Sequence, residues 1–193
     1  VLLKPRDEWR YGHEFWIDTA SGLLLKATLL GTGGEALESF AFAHVKIGGP
    51  LDLGALKPGF DPHNVRVQHV RSTEMRVDDV GWTFRTQLPG FRKVAAMKRQ
   101  AGEANAESLH VVFSDGLASI SVFIEPGGGE EEATASLGPV NVYRRQVDQH
   151  RVVVMGEVPA TAVRAVPRAR ASRTRKATLP ERAPRRSYCA RRP

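Results

Sequence analysis

The sequence predicts an α+β chain made mainly of antiparallel β-sheet. Short runs of residues alternate between apolar and polar side chains, which is the period of a β-strand. Glycine, proline and aspartate cluster between these runs, as they do in the turns of hairpins. Only residues 160–166, which follow Pro159 and precede Pro167, have the character of a helix. These observations favour antiparallel meanders with one short helix.

The first unit is predicted to be a three-stranded antiparallel meander. Residues 9–17 alternate strictly, and residues 35–47 continue this pattern two turns later. Residues 23–30 are nearly all apolar, so we expect both faces of this middle strand to be covered. Glycine-containing turns at residues 19–22 and 31–34 separate the three strands.

A connector is predicted between the two units. Glycine and proline interrupt residues 48–64, where we expect one helical turn at residues 53–56. A short extended piece is expected at residues 65–70. Because a second meander follows soon afterwards, we expect a domain boundary near residues 70–80.

The second unit is predicted to be a further antiparallel meander, with its clearest hairpin at Asp115-Gly116. After this turn, Ile120 and its apolar i+2 neighbours share one face and Ser119 and Ser121 the other, so we expect a core face and a wetter face. Residues 88–91 are predicted to form a turn, and residues 126–135 a solvated loop. The remaining strands are expected at residues 82–86, 92–99, 108–113, 117–125, 140–147 and 151–155.

The positive charge is concentrated in the last 27 residues. Residues 167–193 contain nine Arg, one Lys and one Glu and carry +9, whereas the whole chain carries +7. Residues 1–166 therefore carry −2. We expect no nucleic-acid partner for this mildly acidic part, and we predict a disordered tail because residues 167–193 have no apolar period.

No constellation of catalytic or metal-binding residues is evident in the sequence. The six histidines lack metal-ligand spacing, and the single cysteine, Cys189, lies in the tail. Turn chemistry explains Ser114-Asp115-Gly116 more simply than a nucleophile does, and Glu130–Glu132 lack a shaped cage for a cation. The sequence therefore predicts a protein that is not an enzyme and that has no cofactor or metal.

Aromatic residues are concentrated in the first meander. The favoured interpretation is that they pack in a core. The alternative is a concave apolar surface for an acyl chain or a peptide. The residues predicted to line such a surface are Trp9, Tyr11, Phe15, Phe40 and Phe42.

Five stretches of the chain resemble the RseB/MucB family. They are residues 10–18 (RYGHEFWID), 21–26 (SGLLLK), 113–125 (FSDGLASISVFIE), 138–143 (GPVNVY) and 154–159 (VMGEVP). Their order extends the resemblance over roughly residues 1–166.

The resemblance implies a domain organisation. Residues 1–75 are expected to be the C-terminal strands of a LolA-like half-barrel with a linker, and residues 80–166 a small α+β domain. Residues 167–193 remain as a disordered Arg/Pro-rich tail. Since the upstream half of the large domain has no counterpart here, the resemblance implies an N-terminally truncated fragment.

The resemblance also implies a function. Family members are periplasmic negative regulators of an envelope-stress sigma factor. They bind the periplasmic segment of an RseA- or MucA-type anti-sigma factor and shield it from site-one proteolysis. We therefore expect this activity in the periplasm, with lipid or lipopolysaccharide as a further ligand and homo-oligomers left open. The alternative is a periplasmic lipid or lipoprotein carrier of the LolA type.

The partner is expected to contact sheet edges and the cleft between the two units, by strand addition or by docking in a groove. The residues predicted to bind it are Trp82, Phe91, Leu117, Ser119, Ser121 and Phe123.

The resemblance ends at Val166, where the composition changes abruptly. A shifted reading frame or a wrong gene end explains this change, and we favour that explanation. The alternative is a basic extension that contacts anionic lipid headgroups or nucleic acid.

Overall fold

The computed structural model describes residues 1–50, 52–57, 71–76, 80–84, 88–101, 106–128, 131–166 and 170–171. Its strands in chain order are β1 (Leu2–Leu3), β2 (Gly12–Ile17), β3 (Leu24–Leu30), β4 (Ala36–Ala41), β5 (Arg71–Glu74), β6 (Trp82–Thr83), β7 (Arg92–Ala101), β8 (Ala106–Ser114), β9 (Ser119–Pro126), β10 (Ala133–Leu137), β11 (Val140–Val147), β12 (His150–Gly156) and β13 (Arg170–Ala171). A 3₁₀ turn covers Leu53–Leu56, as predicted, and a helix, α1, covers Ala160–Ala165. The prediction of a mainly antiparallel α+β chain is confirmed.

The first sheet has the strand order β1-β2-β3-β4 and is open, with β1 and β4 at its edges. The predicted meander is therefore present, with β1 added in front of it through the pairing of Leu2 with Glu14. The expectation that both faces of the middle strand are covered was wrong. Within β3 only Thr28 is buried, and Leu24 is 37% exposed. The third strand also ends at Ala41, well before residue 47.

The second sheet has seven strands in the order β10-β11-β12-β9-β8-β7-β5. The hairpin predicted at Asp115-Gly116 connects β8 to β9, and Ser114 pairs with Ser119 across it. β11 and β12 are connected by a two-residue turn in which Asp148 has a φ of 53°, in the left-handed region that such turns require. Each hairpin places its strands in antiparallel register, so the long strands form one continuous sheet.

One face of the second sheet carries the core. Alternate side chains of β9 (Ile120, Val122 and Ile124) are buried there, as predicted from the period of two. The helix α1 packs against β11 and β12 and buries Ala162 and Val163. A helix of six residues is not stable in isolation, so this packing is what maintains it.

Three segments differ from the sequence prediction. β10 begins at Ala133, within the predicted loop at residues 126–135, and its mostly small side chains (ATASL) give little β-strand pattern. β5 pairs with β7 in the second sheet, although it precedes residue 75, the predicted end of the first unit. β13 pairs with β6 and falls within the predicted tail. The extended piece predicted at residues 65–70 and tail residues 172–193 lie outside the described residues. The division into domains stays a prediction.

Candidate functional site

A connecting segment, Asp7–Tyr11, lies between β1 and β2 of the first sheet and contacts the second sheet. The guanidinium of Arg10 lies at its centre. Nε of Arg10 donates to Oδ2 of Asp115 over 2.5 Å, and the two terminal nitrogens donate to the carboxylate of Asp7 and the backbone carbonyl of Pro89. The guanidinium carbon also lies 4.8 Å from the centroid of the Phe91 ring, within cation–π range. One side chain thus contacts the β8–β9 loop and the turn at residues 88–91.

The neighbours of Arg10 make further contacts with the second unit. Trp9 packs against the core of the second sheet. The amide of Asn141 donates to the hydroxyl of Tyr11 over 3.0 Å, and the hydroxyl of Thr161 donates to the carbonyl of Glu8 over 3.2 Å. The connecting segment therefore contacts the core, strand β11 and helix α1 within a few consecutive residues.

A groove of about 400 Å³ lies beside this segment, between the two sheets. The first sheet contributes one wall, and the β8–β9 hairpin with β11 and β12 contributes the other. Its lining residues are His13, Leu29, Leu117, Ala118, Ser119, Ser121, Val140, Met155, Gly156 and Glu157. A mainly apolar lining with a few hydroxyl and charged groups is typical of binding grooves.

The β8–β9 loop forms part of one wall of the groove, and the carboxylate of Asp115 stabilises its conformation. Oδ1 of Asp115 accepts hydrogen bonds from the backbone amides of Leu117 and Ala118, each over 2.9 Å. The hydroxyl of Ser114 donates to the carbonyl of Ala118 over 2.8 Å and closes the loop. The loop therefore presents Leu117, which is 53% exposed, to the groove.

Burial, hydrogen bonds and charge shift the pKa values of two groups in and beside the groove. Burial lowers the pKa of His13 below its usual value, although the carboxylates of Asp115 and Glu157 oppose this change. Burial alone would raise the pKa of Asp115, but the amides of Leu117 and Ala118 and the charge of Arg10 lower it on balance. Asp115 is therefore ionised and His13 mainly neutral near pH 7.

The open face of the second sheet continues from the groove. There His110, only 8% exposed, stacks on Phe123 with ring centroids 4.2 Å apart, and its Nε2 lies 2.9 Å from the hydroxyl of Ser121. Phe123 also lies in a shallow trough of about 350 Å³, where Arg151 is paired with Glu125. The wetter face predicted for this sheet is thus a half-buried surface with both apolar and charged groups.

The structure brings together three of the six residues predicted to bind a partner. Leu117, Ser119 and Ser121 line the groove. Phe123 lies further along the open face. Trp82 is distant from it and packs edge-on against His150, with ring centroids 5.1 Å apart. Phe91 is 6% exposed and lies beneath Arg10, so its ring supports the connecting segment rather than facing solvent.

The five residues predicted to line an apolar surface also divide into two groups. Phe15 and Phe40 both pair with Ala27 and so share one face of the first sheet, where Phe40 and Phe42 are largely exposed. Trp9 and Tyr11 belong to the connecting segment. These predicted binding roles stay predictions.

Sequence reasoning missed several residues of the site. Arg10 was predicted only to be part of the first strand, and Asp115 only to form a turn. Asn141 lies buried on β11 and bonds across the boundary between the sheets. The Arg10–Asp115 and Asn141–Tyr11 contacts span 105 and 130 residues, so no local pattern could reveal them.

No group of three or more His, Cys, Asp or Glu side chains in the described residues is placed to hold a metal ion. No helix in the described part of the chain has the length and apolar character needed to cross a membrane.

Comparison with known proteins identifies the family. Residues 1–60 match the family model of the MucB/RseB N-terminal domain, and residues 76–169 match that of the MucB/RseB C-terminal domain. The chain belongs to the MucB/RseB family.

Two curated relatives and two solved structures illustrate the likeness. Sigma factor AlgU regulatory protein MucB of Pseudomonas aeruginosa is 33% identical over 165 residues, which cover 82% of this chain and 51% of the relative. Sigma-E factor regulatory protein RseB of Haemophilus influenzae is 22% identical over 168 residues, which cover 86% and 52%. This chain therefore spans about half the length of the curated relatives it matches.

The structural likeness is similarly broad. The crystal structure of MucB in complex with MucA(peri) superimposes with a TM-score of 0.71 at 31% identity, covering 89% of this chain and 61% of that one. The complex structure of Pseudomonas aeruginosa MucA/MucB gives a TM-score of 0.70 at 32% identity, covering 87% and 57%.

Proposed function

We propose that this protein binds the periplasmic segment of an RseA- or MucA-type anti-sigma factor and thereby holds down the activity of an envelope-stress sigma factor. The observation that carries the proposal is the groove between the two sheets, in a chain whose fold matches MucB solved in complex with MucA(peri). Shielding of the bound segment from site-one proteolysis and residence in the periplasm belong to the same proposal.

The groove suits an extended peptide segment. Leu29, Leu117, Val140 and Met155 provide apolar surface for the side chains of such a segment. Ser119 adds a hydroxyl that can bond to a peptide backbone. The predicted partner-binding residues Leu117, Ser119 and Ser121 are assigned to this contact, with Phe123 and Trp82 further away.

A binding role fits the side chains better than catalysis does. Among the described residues, the Ser121–His110 pair is the contact most similar to a nucleophile with a base. In a catalytic triad a carboxylate orients the second ring nitrogen. Nδ1 of His110 is buried and has no hydrogen-bond partner among the described residues. We therefore propose that the protein is not an enzyme.

Titration calorimetry with the periplasmic segment of Pseudomonas aeruginosa MucA tests the proposal. We expect saturable 1:1 binding that Leu117→Asp weakens by at least about tenfold, because a charge replaces an apolar contact in the groove. Leu53→Asp, at an exposed site of the 3₁₀ turn, is the matched control and should bind as the unmodified chain does. Absence of binding by the unmodified chain would refute the proposed function.

Carriage of a lipid or lipoprotein remains the second candidate function. The exposed rings of Phe40 and Phe42, 57% and 47% exposed, favour it, since single-sided apolar surface of this kind suits acyl chains. Native mass spectrometry of the protein purified from the bacterial envelope separates the candidates. Co-purified lipid without affinity for the MucA segment would support the carrier.

A further inference from the structure

We propose that Arg10 is a positioning residue that sets the spacing between the two walls of the groove. This inference rests on the proposed function, because the groove is the site at which the anti-sigma segment is proposed to bind. In this proposal the ion pair between Arg10 and Asp115 determines how closely the groove fits the bound segment.

The carboxylate of Asp115 connects the two walls directly. Its Oδ2 accepts from Nε of Arg10 on the side of the first sheet. Its Oδ1 accepts from the amides of Leu117 and Ala118, which line the opposite wall. Because both oxygens belong to one rigid carboxylate, displacement of Arg10 displaces the loop that carries Leu117.

The wall of the groove that the first sheet contributes is connected to Arg10 along the chain. His13 lies three residues further on, in β2, and pairs with Leu29 of β3. Both of these residues line the groove. A shift of Arg10 relative to Asp115 therefore changes the distance between Leu29 and Leu117 without disturbing the pairing of either sheet.

The surroundings of Arg10 are shaped to hold its guanidinium. Gly90 has a φ of +81°, and a Cβ built on it would lie 3.0 Å from a terminal nitrogen of Arg10. Asp7 and the Pro89 carbonyl accept from the terminal nitrogens, and Phe91 faces the guanidinium. Such a fork-shaped set of acceptors suits arginine, whereas the single ammonium of lysine cannot satisfy all of it.

Spin-label distance measurements test the positioning role. Nitroxides on Cys introduced at Ala20 and Gln149, in turns of the first and second sheets, report the relative placement of the sheets in a chain carrying Cys189→Ser. We expect Arg10→Ala and Asp115→Asn to broaden the distance distribution, and Arg10→Lys to broaden it less. Affinity for the Pseudomonas aeruginosa MucA periplasmic segment should fall in the same order, with Arg10→Ala weaker by about tenfold.

The double variant Arg10→Ala with Asp115→Asn separates positioning from an unrelated loss of stability, because the amide oxygen of Asn can still accept from the amides of Leu117 and Ala118. If both residues act through the one ion pair, the double variant should broaden the distribution and lower the affinity no more than Arg10→Ala does alone, whereas independent roles would make the two effects add. Leu53→Asp again serves as the control. An unchanged distribution in Arg10→Ala, or a broadened one with undiminished affinity, overturns the inference. If the unmodified chain does not bind the MucA segment at all, the proposed function is refuted instead. The distance measurements still test the role of the ion pair in that case.

Discussion

The side-chain amide of Asn141 donates to the hydroxyl of Tyr11 across the boundary between the two sheets, over 3.0 Å. The same amide also donates to the carbonyl of Val158 over 2.8 Å, and its oxygen accepts from the hydroxyl of Ser136 over 2.6 Å. A buried amide with this many partners fixes both its own strand and the connecting segment.

Asn141→Ala should therefore destabilise the protein. The substitution leaves the carbonyl of the buried Val158 without this partner, and an unsatisfied buried polar group costs about 1–3 kcal/mol. Urea denaturation followed by tryptophan fluorescence measures the change in the free energy of unfolding. Tyr11→Phe removes only one of the three bonds and should cost less. Equal losses in the two variants would contradict the assigned network.

A substitution in strand β9 should lower stability, whereas a substitution in the loop before it should weaken partner binding. Ile120 is fully buried in the core, so Ile120→Ala should cost about 2–5 kcal/mol. Leu117 is exposed in the groove wall, so Leu117→Ala should change the free energy of unfolding by less than about 0.5 kcal/mol.

Calorimetry with the MucA segment completes this comparison. Leu117→Ala should bind it more weakly although its folding is unchanged. If Leu117→Ala loses stability and keeps its affinity, the groove is not the binding surface.

Gly156 tests the close packing of β12 against β9. A Cβ at this position would lie 2.5 Å from the backbone oxygen of Ser119, which cannot move away without breaking the strand pairing. Gly156→Ala should destabilise by about 1–3 kcal/mol through overpacking. It should also weaken binding, because Gly156 and Ser119 both line the groove.

Gly138→Ala is the comparison for this prediction. Gly138 has a φ of +56° and open space around its Cβ position, so the variant meets only the cost of a left-handed backbone. Thermal denaturation of the two variants measures stability, and only Gly156→Ala should lose affinity for the MucA segment. Equal stabilities of the two variants would contradict the close approach of β12 to β9, and equal affinities would contradict the groove as the binding surface.

Acid should destabilise the protein partly through His110. Burial, with the nearby charge of Arg99, lowers the pKa of His110 below its usual 6.5. As the pH falls through that value, the unfolded chain takes up a proton that folded His110 does not, so the free energy of unfolding decreases. His110→Gln should show a smaller decrease between pH 7.5 and 5.5 in urea titrations.

Ser121→Ala is the control for the pH experiment. It removes the hydroxyl that contacts Nε2 of His110 but keeps the imidazole, so the decrease with acid should persist. A pH dependence in His110→Gln identical to that of the unmodified chain would show that another group is responsible.

The sequence predicted the parts of the fold that depend on local chemistry. Asp115-Gly116 located the β8–β9 hairpin, and the period of two assigned Ile120 and Ser121 to opposite faces. β1 was missed because two residues carry no period, and β10 because its side chains are small. The exposure of β3 was mispredicted because an apolar run shows what a strand could bury, and not whether other elements cover it.

Only part of one wall of the groove was predicted from the sequence. Leu117, Ser119 and Ser121, whose role in binding stays a prediction, were singled out in the strand that follows a recognisable turn. Arg10 and Asn141 were not, because their roles depend on partners more than a hundred residues away along the chain. Residue type alone does not distinguish a solvated arginine from one that joins two sheets.

The carboxylate that Asp115 shares between Arg10 and its own loop predicts a pattern of substitution among relatives. A chain that loses the arginine at position 10 leaves a half-buried carboxylate without its charged partner, so an acid at position 115 would be less favoured. Substitutions at these two positions should therefore covary among relatives, with paired replacements outnumbering single ones.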